Sequence, residues 1–151
     1  MHATLLPANP EPAAPDGVFR HPLRVYWEDT DAGGVVFYAN YLKYFERART
    51  EWLRALGFSQ AHMLEHDAVM FVVADTALRY RRAARLDDLL QVTVQVQDAG
   101  RASLRIAQQA WRGDELLAEG DIRIGCVAAG PANDGTFRAC RIPLSIIKKI
   151  A

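Results

Sequence analysis

The second half of the chain has a two-residue hydrophobic period. From residue 90 to residue 97, leucine or valine at each even position alternates with glutamine or threonine at each odd position. This alternation is typical of a β-strand with one buried face. We therefore predict strands over about 69–82, 89–99, 103–112 and 115–127, with tight turns at Ala99-Gly100 and Gly113-Asp114 between antiparallel neighbours.

The first half has a helical period instead. Residues 18–27 predict a first strand, and apolar residues at spacings of four and three predict a long helix over residues 40–56. Gly57 is a C-terminal stop signal, and Ser59 can cap a short second helix over about 61–66. The apolar stripe of the long helix consists of Tyr41, Phe45, Ala48, Trp52 and Leu56.

The order of these elements predicts the fold class. After a loop at 130–135, the pattern predicts a last strand over 138–142 and a terminal helix over 144–150. A helix with a continuous apolar stripe must be buried, so we expect the antiparallel strands to curl around it. The sequence therefore predicts an α+β domain.

Size and composition favour one domain. The 151 residues, half of them apolar, can bury one core but hardly two. Four of the seven prolines fall within residues 1–17, which predicts a disordered N-terminal arm. The single domain is then expected over residues 18–151.

Charge and cysteine content narrow the function classes. Eighteen basic residues balance 18 acidic ones without a long block of either sign, which argues against general attraction to nucleic acid or an anionic membrane. No apolar stretch approaches the roughly 18 residues of a spanning helix, and the N-terminus lacks the features of a secretory signal. We expect a cytoplasmic protein in which Cys126 and Cys140 are reduced thiols.

The segment between the first strand and the long helix carries the candidate chemistry. Glu28, Asp29 and Asp31 precede Gly33-Gly34, and the first two would face opposite sides of a continuing strand. A carboxylate beside a helix N-terminus lies near N–H groups without an intrahelical partner, and such groups can polarise a carbonyl. Two interpretations stay open: a turn whose glycines let a ligand approach the backbone, or an Asx-type turn that only caps the helix.

Residues 29–36, Asp-Thr-Asp-Ala-Gly-Gly-Val-Val, closely resemble the acyl-CoA thioesterases of the 4-hydroxybenzoyl-CoA thioesterase superfamily, nearest to the YbgC-like branch. Tyr41, residues 45–49, Trp52-Leu53 and residues 86–90 extend the resemblance over about 19–126. It implies the hotdog fold, a curved antiparallel β-sheet wrapped around a long central α-helix. It also implies hydrolysis of an acyl-CoA to free acid and coenzyme A by a homodimer or homotetramer with shared active sites, of which we expect the tetramer.

The resemblance also implies residue roles. Asp31 corresponds to the catalytic aspartate, as general base or nucleophile toward the thioester carbonyl, with Asp29 in support. The backbone N–H of Tyr38, or of a neighbour, would bind the carbonyl oxygen, while Gly33 and Gly34 would let the substrate approach. A thioester is already an activated acyl group, so no cofactor is expected, and coenzyme A is part of the substrate.

Coenzyme A carries phosphates, which makes arginines candidate substrate contacts. The densest basic cluster lies at residues 79–85, and Arg101 is expected on a hairpin nearby. Arg82 and Arg101 are therefore candidate phosphate ligands. The alternative is that these charges are solvated strand edges, where they discourage aggregation.

Position 38 leaves the acyl group open. Many YbgC-like sequences have a histidine where this chain has Tyr38, whereas 4-hydroxybenzoyl-CoA enzymes resemble it in having tyrosine. The alternative substrates are therefore an aryl-CoA of the 4-hydroxybenzoyl type or an acyl group on acyl carrier protein. A non-enzymatic alternative is an acyl-carrier-binding interaction module linked to phospholipid synthesis or to the Tol-Pal envelope system.

One further pattern suggests a metal. Residues 62–66 have the sequence H-x-x-E-H, which also occurs in a class of zinc peptidases. The predicted helix is short and no third ligand is matched, so we interpret the pattern as a solvated helix face and expect no metal site.

Overall fold

The computed structural model describes residues 16–129 and 137–150. The strands are β1 (Phe19–Arg24), β2 (Val69–Tyr80), β3 (Leu89–Ala99), β4 (Ser103–Arg112) and β5 (Glu115–Ala128). The α-helices are α1 (Asn40–Ala55), α2 (Gln60–His66) and α3 (Leu144–Ile150), and a 3-10 turn covers Trp27–Asp29. Residues 1–15 of the predicted arm and the predicted loop at 130–135 lie outside the described residues.

The strands form one antiparallel sheet in the order β1-β3-β4-β5-β2, so β1 and β2 are its edges. β3 and β4 have their predicted limits, because their alternation is regular and glycine-containing turns bound them. The curved sheet packs against α1, which confirms the predicted α+β hotdog architecture.

The helix–sheet interface, where α1 packs against the inward face of the sheet, forms the centre of the core. Tyr41, Phe45, Ala48 and Trp52 of the predicted stripe are all buried. Gly120 of β5 permits the close approach, since a Cβ atom there would lie 2.9 Å from Phe45 Cε2 and 2.9 Å from Leu78 Cδ2. No helix in the described part of the chain is long and apolar enough to cross a membrane.

The helix boundaries follow local signals. Gly57 comes just after the end of α1 with a φ of +93°, a left-handed conformation that glycine adopts without steric cost. The Ser59 side chain accepts a hydrogen bond from the N–H of His62 at 3.1 Å and so caps α2 as predicted.

The predicted first strand is too long. β1 ends at Arg24, and the chain turns through Trp27–Asp29 because the N–H of Asp29 donates to the Tyr26 carbonyl and the N–H of Tyr26 donates to Asp29 Oδ2. Glu28 and Asp29 therefore do not alternate across a strand. A buried carboxylate that can accept from the backbone favours the turn over further extension.

The predicted last strand over 138–142 is also wrong. One isolated bridge, between Val127 and Ala139, joins this segment to the edge of β5. The N–H of Ile142 then donates to the carbonyl of Arg101, which takes the chain away from the sheet, and α3 follows as predicted. Ile142 and Ile146 are buried in the core, which explains why apolar residues occur here without a strand.

Candidate active site

Residues 30–36 form a small hairpin, here called the acidic hairpin. The N–H of Asp31 donates to the Val35 carbonyl at 2.8 Å, and the N–H of Gly34 donates to the Asp31 carbonyl at 3.0 Å. Gly34 has a φ of +78°, the left-handed conformation that closes a three-residue hairpin loop. The local geometry therefore requires a glycine at position 34 whether or not a ligand approaches it.

The Asp31 carboxylate folds back over its own turn. Its Oδ1 accepts from the N–H of Gly33 at 2.8 Å and, at the longer distance of 3.4 Å, from the N–H of Val35. A Cβ atom at Gly33 would lie 3.2 Å from this oxygen, so the glycine leaves room for the carboxylate. Among the described residues no group donates to Oδ2, and Asp31 is exposed, so one oxygen is fixed while the other is free.

Asp29 has a different environment although it is only two positions away. It is 6% exposed, and its Oδ2 accepts from the N–H of Tyr26 at 2.9 Å. Its carbonyl accepts from the N–H of Phe37 at 2.9 Å and from Asn40 Nδ2 at 2.8 Å. Asp29 thus ties the chain before the acidic hairpin to the beginning of α1.

Asn40 completes this connection and Tyr44 lies beside it, and neither was predicted from the sequence. The Tyr44 hydroxyl is buried and has no hydrogen-bond partner among the described residues. Burial raises the pKa of Tyr44, and the Asp29 carboxylate beside it raises that pKa further. A polar residue at the first position of a helix was the available signal for Asn40, whereas Tyr44 lies next to the predicted apolar stripe and had no signal of its own.

The N-terminus of α1 presents free backbone donors. Among the described residues no acceptor binds the N–H of Tyr38 or Ala39, and Ala39 provides no side-chain cap. The Tyr38 carbonyl is anchored to β2, since it accepts from the Tyr80 hydroxyl at 3.0 Å. Unpaired N–H groups at the positive end of a helix dipole can stabilise a developing negative charge.

A depression of about 280 Å³ lies beside these donors. Its wall includes Tyr38, Tyr41, Tyr80 and Arg82, so two of the candidate residues share one concave surface. The Tyr38 and Tyr80 rings meet edge to face at 6.2 Å between centroids, and the Tyr41 and Tyr80 rings at 5.5 Å. Asp31 does not line this depression in the single chain.

Arg82 and Arg101 are not neighbours, so their expected proximity is wrong within one chain. Arg82 precedes β3 and Arg101 follows it, and a strand of 11 residues spans about 35 Å. Arg82 is exposed, and its Nη1 lies 3.5 Å from Glu115 Oε2. Arg101 lies in the turn between β3 and β4, at the other end of β3. The geometry places Arg82 rather than Arg101 near Tyr38.

A second concave surface was not foreseen. A groove of about 420 Å³ runs between α1 and edge strand β2, lined mainly by apolar atoms with Leu42 and Val73 among its residues. Arg49 also lines it and donates to Gln108 Oε1 at 2.8 Å, and burial lowers the pKa of Arg49. Its apolar walls and size suit an acyl chain.

Gln108 holds the helix side of this groove. It is fully buried at an inward position of β4, and its Nε2 donates to the carbonyls of Phe45 at 3.0 Å and Thr93 at 3.2 Å. A polar residue at an inward position of an alternating strand was the sequence signal for this network. Gln108 therefore links α1, β3 and β4 through one side chain.

The H-x-x-E-H segment lies in α2, where His62, Glu65 and His66 are exposed and Met63 is buried. The rings of His62 and His66 lie 4.1 Å apart between centroids, as residues four positions apart on a helix do. Over residues 16–129 and 137–150, no group of three or more His, Cys, Asp or Glu side chains is arranged to hold a metal ion.

Comparison with known proteins identifies the family. A thioesterase superfamily model matches residues 33–119. The acyl-CoA thioesterase YbgC of Haemophilus influenzae is 46% identical over 122 residues, which are 81% of this chain and 90% of that protein. The acyl-CoA thioester hydrolase YbgC of Escherichia coli O157:H7 is 42% identical over 111 residues, 73% of this chain and 82% of that protein.

Similar solved structures support the same family and fold. A probable thioesterase from Bartonella henselae is 30% identical with a TM-score of 0.75, over 83% of this chain and 99% of that chain. A 4-hydroxybenzoyl-CoA thioesterase mutant complexed with 4-hydroxybenzoyl-CoA has a TM-score of 0.81 over 89% of this chain and 99% of that one, and at 17% identity it shows the shared fold. The chain therefore belongs to the thioesterase superfamily, within its YbgC-like branch, and has the hotdog fold.

Proposed function

We propose that this protein hydrolyses an acyl-CoA thioester to the free acid and coenzyme A, with Asp31 as the catalytic group. The observation that carries the proposal is the acidic hairpin, which fixes one oxygen of Asp31 and leaves the other free. It directly precedes a helix N-terminus with the unpaired N–H of Tyr38. Family membership supplies the thioester chemistry for which such a carboxylate and donor are suited.

Two routes use the same groups. In the first, Asp31 takes a proton from water, the water oxygen attacks the thioester carbonyl carbon, and the C–S bond breaks to release coenzyme A as a thiol. In the second, Asp31 attacks the carbonyl carbon itself, the C–S bond breaks to release coenzyme A, and water then hydrolyses the resulting anhydride to the free acid and the Asp31 carboxylate. In both, the carbonyl oxygen becomes negative and the N–H of Tyr38 stabilises it, a contribution of roughly 3 kcal/mol.

A second copy of the chain would cover an exposed apolar surface beside strand β2. Within residues 16–129 and 137–150, β2 is an edge strand without a partner on its outer side. It has 12 residues, twice the six of β1 at the other edge, and it borders the apolar groove. Val73 on β2 and Leu42 on α1 expose 50% and 46% of their surface beside this groove. Pairing through β2 would satisfy the strand edge and cover this surface, so we propose a homodimer, with the tetramer as a dimer of dimers.

The concave surfaces suggest how substrate binds. The groove between α1 and β2 would take the acyl chain, and exposed Arg82 would contact a phosphate of coenzyme A. Arg101 is the weaker candidate because it lies at the other end of β3. Thioester hydrolysis needs only a carboxylate, donors and water, so we propose that no cofactor takes part.

A second substrate class has an observation of its own. The depression is lined by Tyr38 and Tyr80, which expose 63% and 48% of their surface and whose rings can pack against an aromatic acyl group. An aryl-CoA of the 4-hydroxybenzoyl type is therefore the alternative substrate. A cytoplasmic location, acyl carrier protein as acyl donor and a link to phospholipid synthesis or the Tol-Pal system stay predictions.

The test combines substrates with a matched pair of variants. Purified protein is assayed with short aliphatic, long-chain and 4-hydroxybenzoyl thioesters of coenzyme A and with acyl carrier protein thioesters. Asp31→Asn should lower kcat/KM by roughly 10²–10⁴-fold, since it removes the base or nucleophile without changing side-chain size. Asp114→Asn, which alters an acid on the exposed turn after β4, should leave turnover unchanged.

The outcomes separate the hypotheses. A preference for aliphatic thioesters supports the groove as the acyl site, and a preference for the aryl thioester supports the depression. Full turnover by Asp31→Asn would overturn the assignment of Asp31. Failure of the unmodified protein to turn over any of these thioesters, together with their binding, would favour the interaction module.

A further inference from the structure

The two cysteines of the chain lie directly opposite one another. Cys126 pairs with Phe71 near the start of β2, whereas Tyr80 of the depression is the last residue of that strand. The N–H of Cys140 donates to the Cys126 carbonyl at 3.0 Å, and the N–H of Ala128 donates to the Arg138 carbonyl at 2.9 Å. Together with the Val127–Ala139 bridge, these bonds put Cys126 and Cys140 in register as antiparallel partners. Their Sγ atoms are 3.6 Å apart.

This register suits a covalent bond between the sulfurs. One backbone hydrogen bond joins the two residues, since the N–H of Cys126 donates to the Ala102 carbonyl at 2.7 Å. Antiparallel partners have Cα atoms about 4.5–5.5 Å apart, within the range of roughly 4.4–6.8 Å that disulfides use. The sulfurs must approach from 3.6 Å to about 2.05 Å, and we expect rotation of the two side chains to provide this approach. The protein as described holds both residues as free thiols.

The two thiols differ in access. Cys126 is completely buried, and burial, reinforced by Cys140, raises its pKa to about 12. Cys140 is half-buried on the peripheral segment before α3 and is the sulfur that a small oxidant reaches first. The difference in access therefore makes Cys140 the thiol that attacks first and Cys126 the resolving thiol.

We propose that Cys126 and Cys140 form a reversible disulfide when a small-molecule disulfide, such as oxidised glutathione, acts as oxidant. The Cys140 thiolate attacks one sulfur of that molecule, forms a mixed disulfide and releases one thiolate, which takes up a proton. The Cys126 sulfur then attacks Cys140, gives up its proton and releases the second small thiol. Two protein thiols are oxidised, and one external disulfide is reduced to two thiols.

The bond would fasten the C-terminal segment to β5. Within the described residues, one bridge and a few backbone hydrogen bonds join the stretch 137–143 to β5 and to the turn after β3. Ile142 and Ile146 pack into the core just beyond Cys140, so a cross-link here restrains the end of the chain that carries α3. Cys126 and Cys140 are 14 positions apart, a loop length for which a cross-link stabilises appreciably.

The test compares reduced and oxidised full-length protein. After incubation with oxidised glutathione, intact mass spectrometry should show a loss of about 2 Da and no titratable thiol, and peptide mapping should find the Cys126–Cys140 linkage. The Tm should rise by roughly 5–10 °C, and dithiothreitol should reverse both changes.

Two variants and three outcomes decide the result. Cys140→Ser should give no mass loss and no rise in Tm with oxidant, and Cys126→Ala should stop at the mixed disulfide on Cys140. Two thiols that remain titratable after oxidation, a stable glutathione adduct on the unmodified protein, or a disulfide between two chains would each overturn the proposal. Because no readout involves thioester turnover, these outcomes are independent of the proposed catalytic role of Asp31.

Discussion

The acidic hairpin and the helix–sheet interface are held together in different ways. The loop of the hairpin, residues 31–34, is exposed, and its conformation depends on hydrogen bonds within the hairpin, including the two that reach Asp31 Oδ1. Its base is tied to the rest of the protein, because Val36 is buried and its N–H donates to the Ala84 carbonyl at 2.9 Å. The interface is buried, and packing at Gly120 and the hydrogen bonds of Gln108 fix it across α1, β3, β4 and β5. Substitutions in the exposed loop of the hairpin should therefore lower activity without unfolding the protein, whereas substitutions at the interface should lower the free energy of unfolding.

The interface should give the largest loss of stability. Gly120→Ala forces a methyl group against Phe45 and Leu78 at 2.9 Å, so the free energy of unfolding should fall by about 2–3 kcal/mol in urea denaturation. Gly125→Ala on the same strand is the matched control, because its nearest contact would be 4.0 Å away, and it should change stability by less than about 0.5 kcal/mol. Equal losses in both variants would contradict close packing at Gly120.

A substitution at Asp29 should affect both stability and activity, because Asp29 is buried and also lies next to the acidic hairpin. Asp29→Asn keeps the shape but weakens the charge-assisted hydrogen bond from Tyr26, so we expect a loss of about 1.5 kcal/mol in unfolding free energy. The same change loosens the connection between the hairpin and α1, so kcat should fall as well. Urea denaturation and steady-state kinetics on one preparation check both effects, and a stability loss with unchanged kcat would limit Asp29 to a structural role.

A substitution at Asn40 should also lower both stability and kcat, but by less than the substitution at Asp29. Asn40→Ala removes the hydrogen bond from Nδ2 to the Asp29 carbonyl, with an expected cost of about 1 kcal/mol. The free donors at Tyr38 and Ala39 remain, so kcat should decrease without being abolished. A thermal melt together with a kcat measurement is sufficient, and a fall in kcat as large as that of Asp31→Asn would contradict a positioning role for Asn40.

The smallest expected effect is on the pH dependence of stability, and it comes from the partly buried His21 of β1. Burial lowers the pKa of His21 below its usual 6.5, with Glu51 opposing and Arg47 adding to the shift. The unfolded chain therefore takes up a proton first, so this contribution to stability is full above about pH 6.5 and is lost as the pH falls through the lowered pKa. His21→Gln should flatten the decline of Tm between about pH 7.5 and 5, and an unchanged slope would exclude His21 as its source.

Corrections to the sequence analysis share one physical cause. β1 ends early because the Asp29 carboxylate binds a backbone N–H three residues back, and segment 138–142 leaves the sheet because Ile142 bonds to Arg101. Each of these two hydrogen bonds depends on one specific partner residue, which the period of hydrophobic residues along the chain does not reveal. Local patterns could predict α1, α2, α3, β3 and β4, because each depends on periodicity and on nearby caps or turns.

The sequence by itself determined the fold class, the order of elements and the position of the acidic turn, because alternation, helical period and the glycine at position 34 act over a few residues. Only the tertiary structure decided which of two nearby aspartates is buried, that Tyr38 and Arg82 line one depression, and that Cys126 faces Cys140. These features depend on strand register and on contacts between residues distant in sequence. A one-dimensional pattern records which residues face inward but not what they meet there.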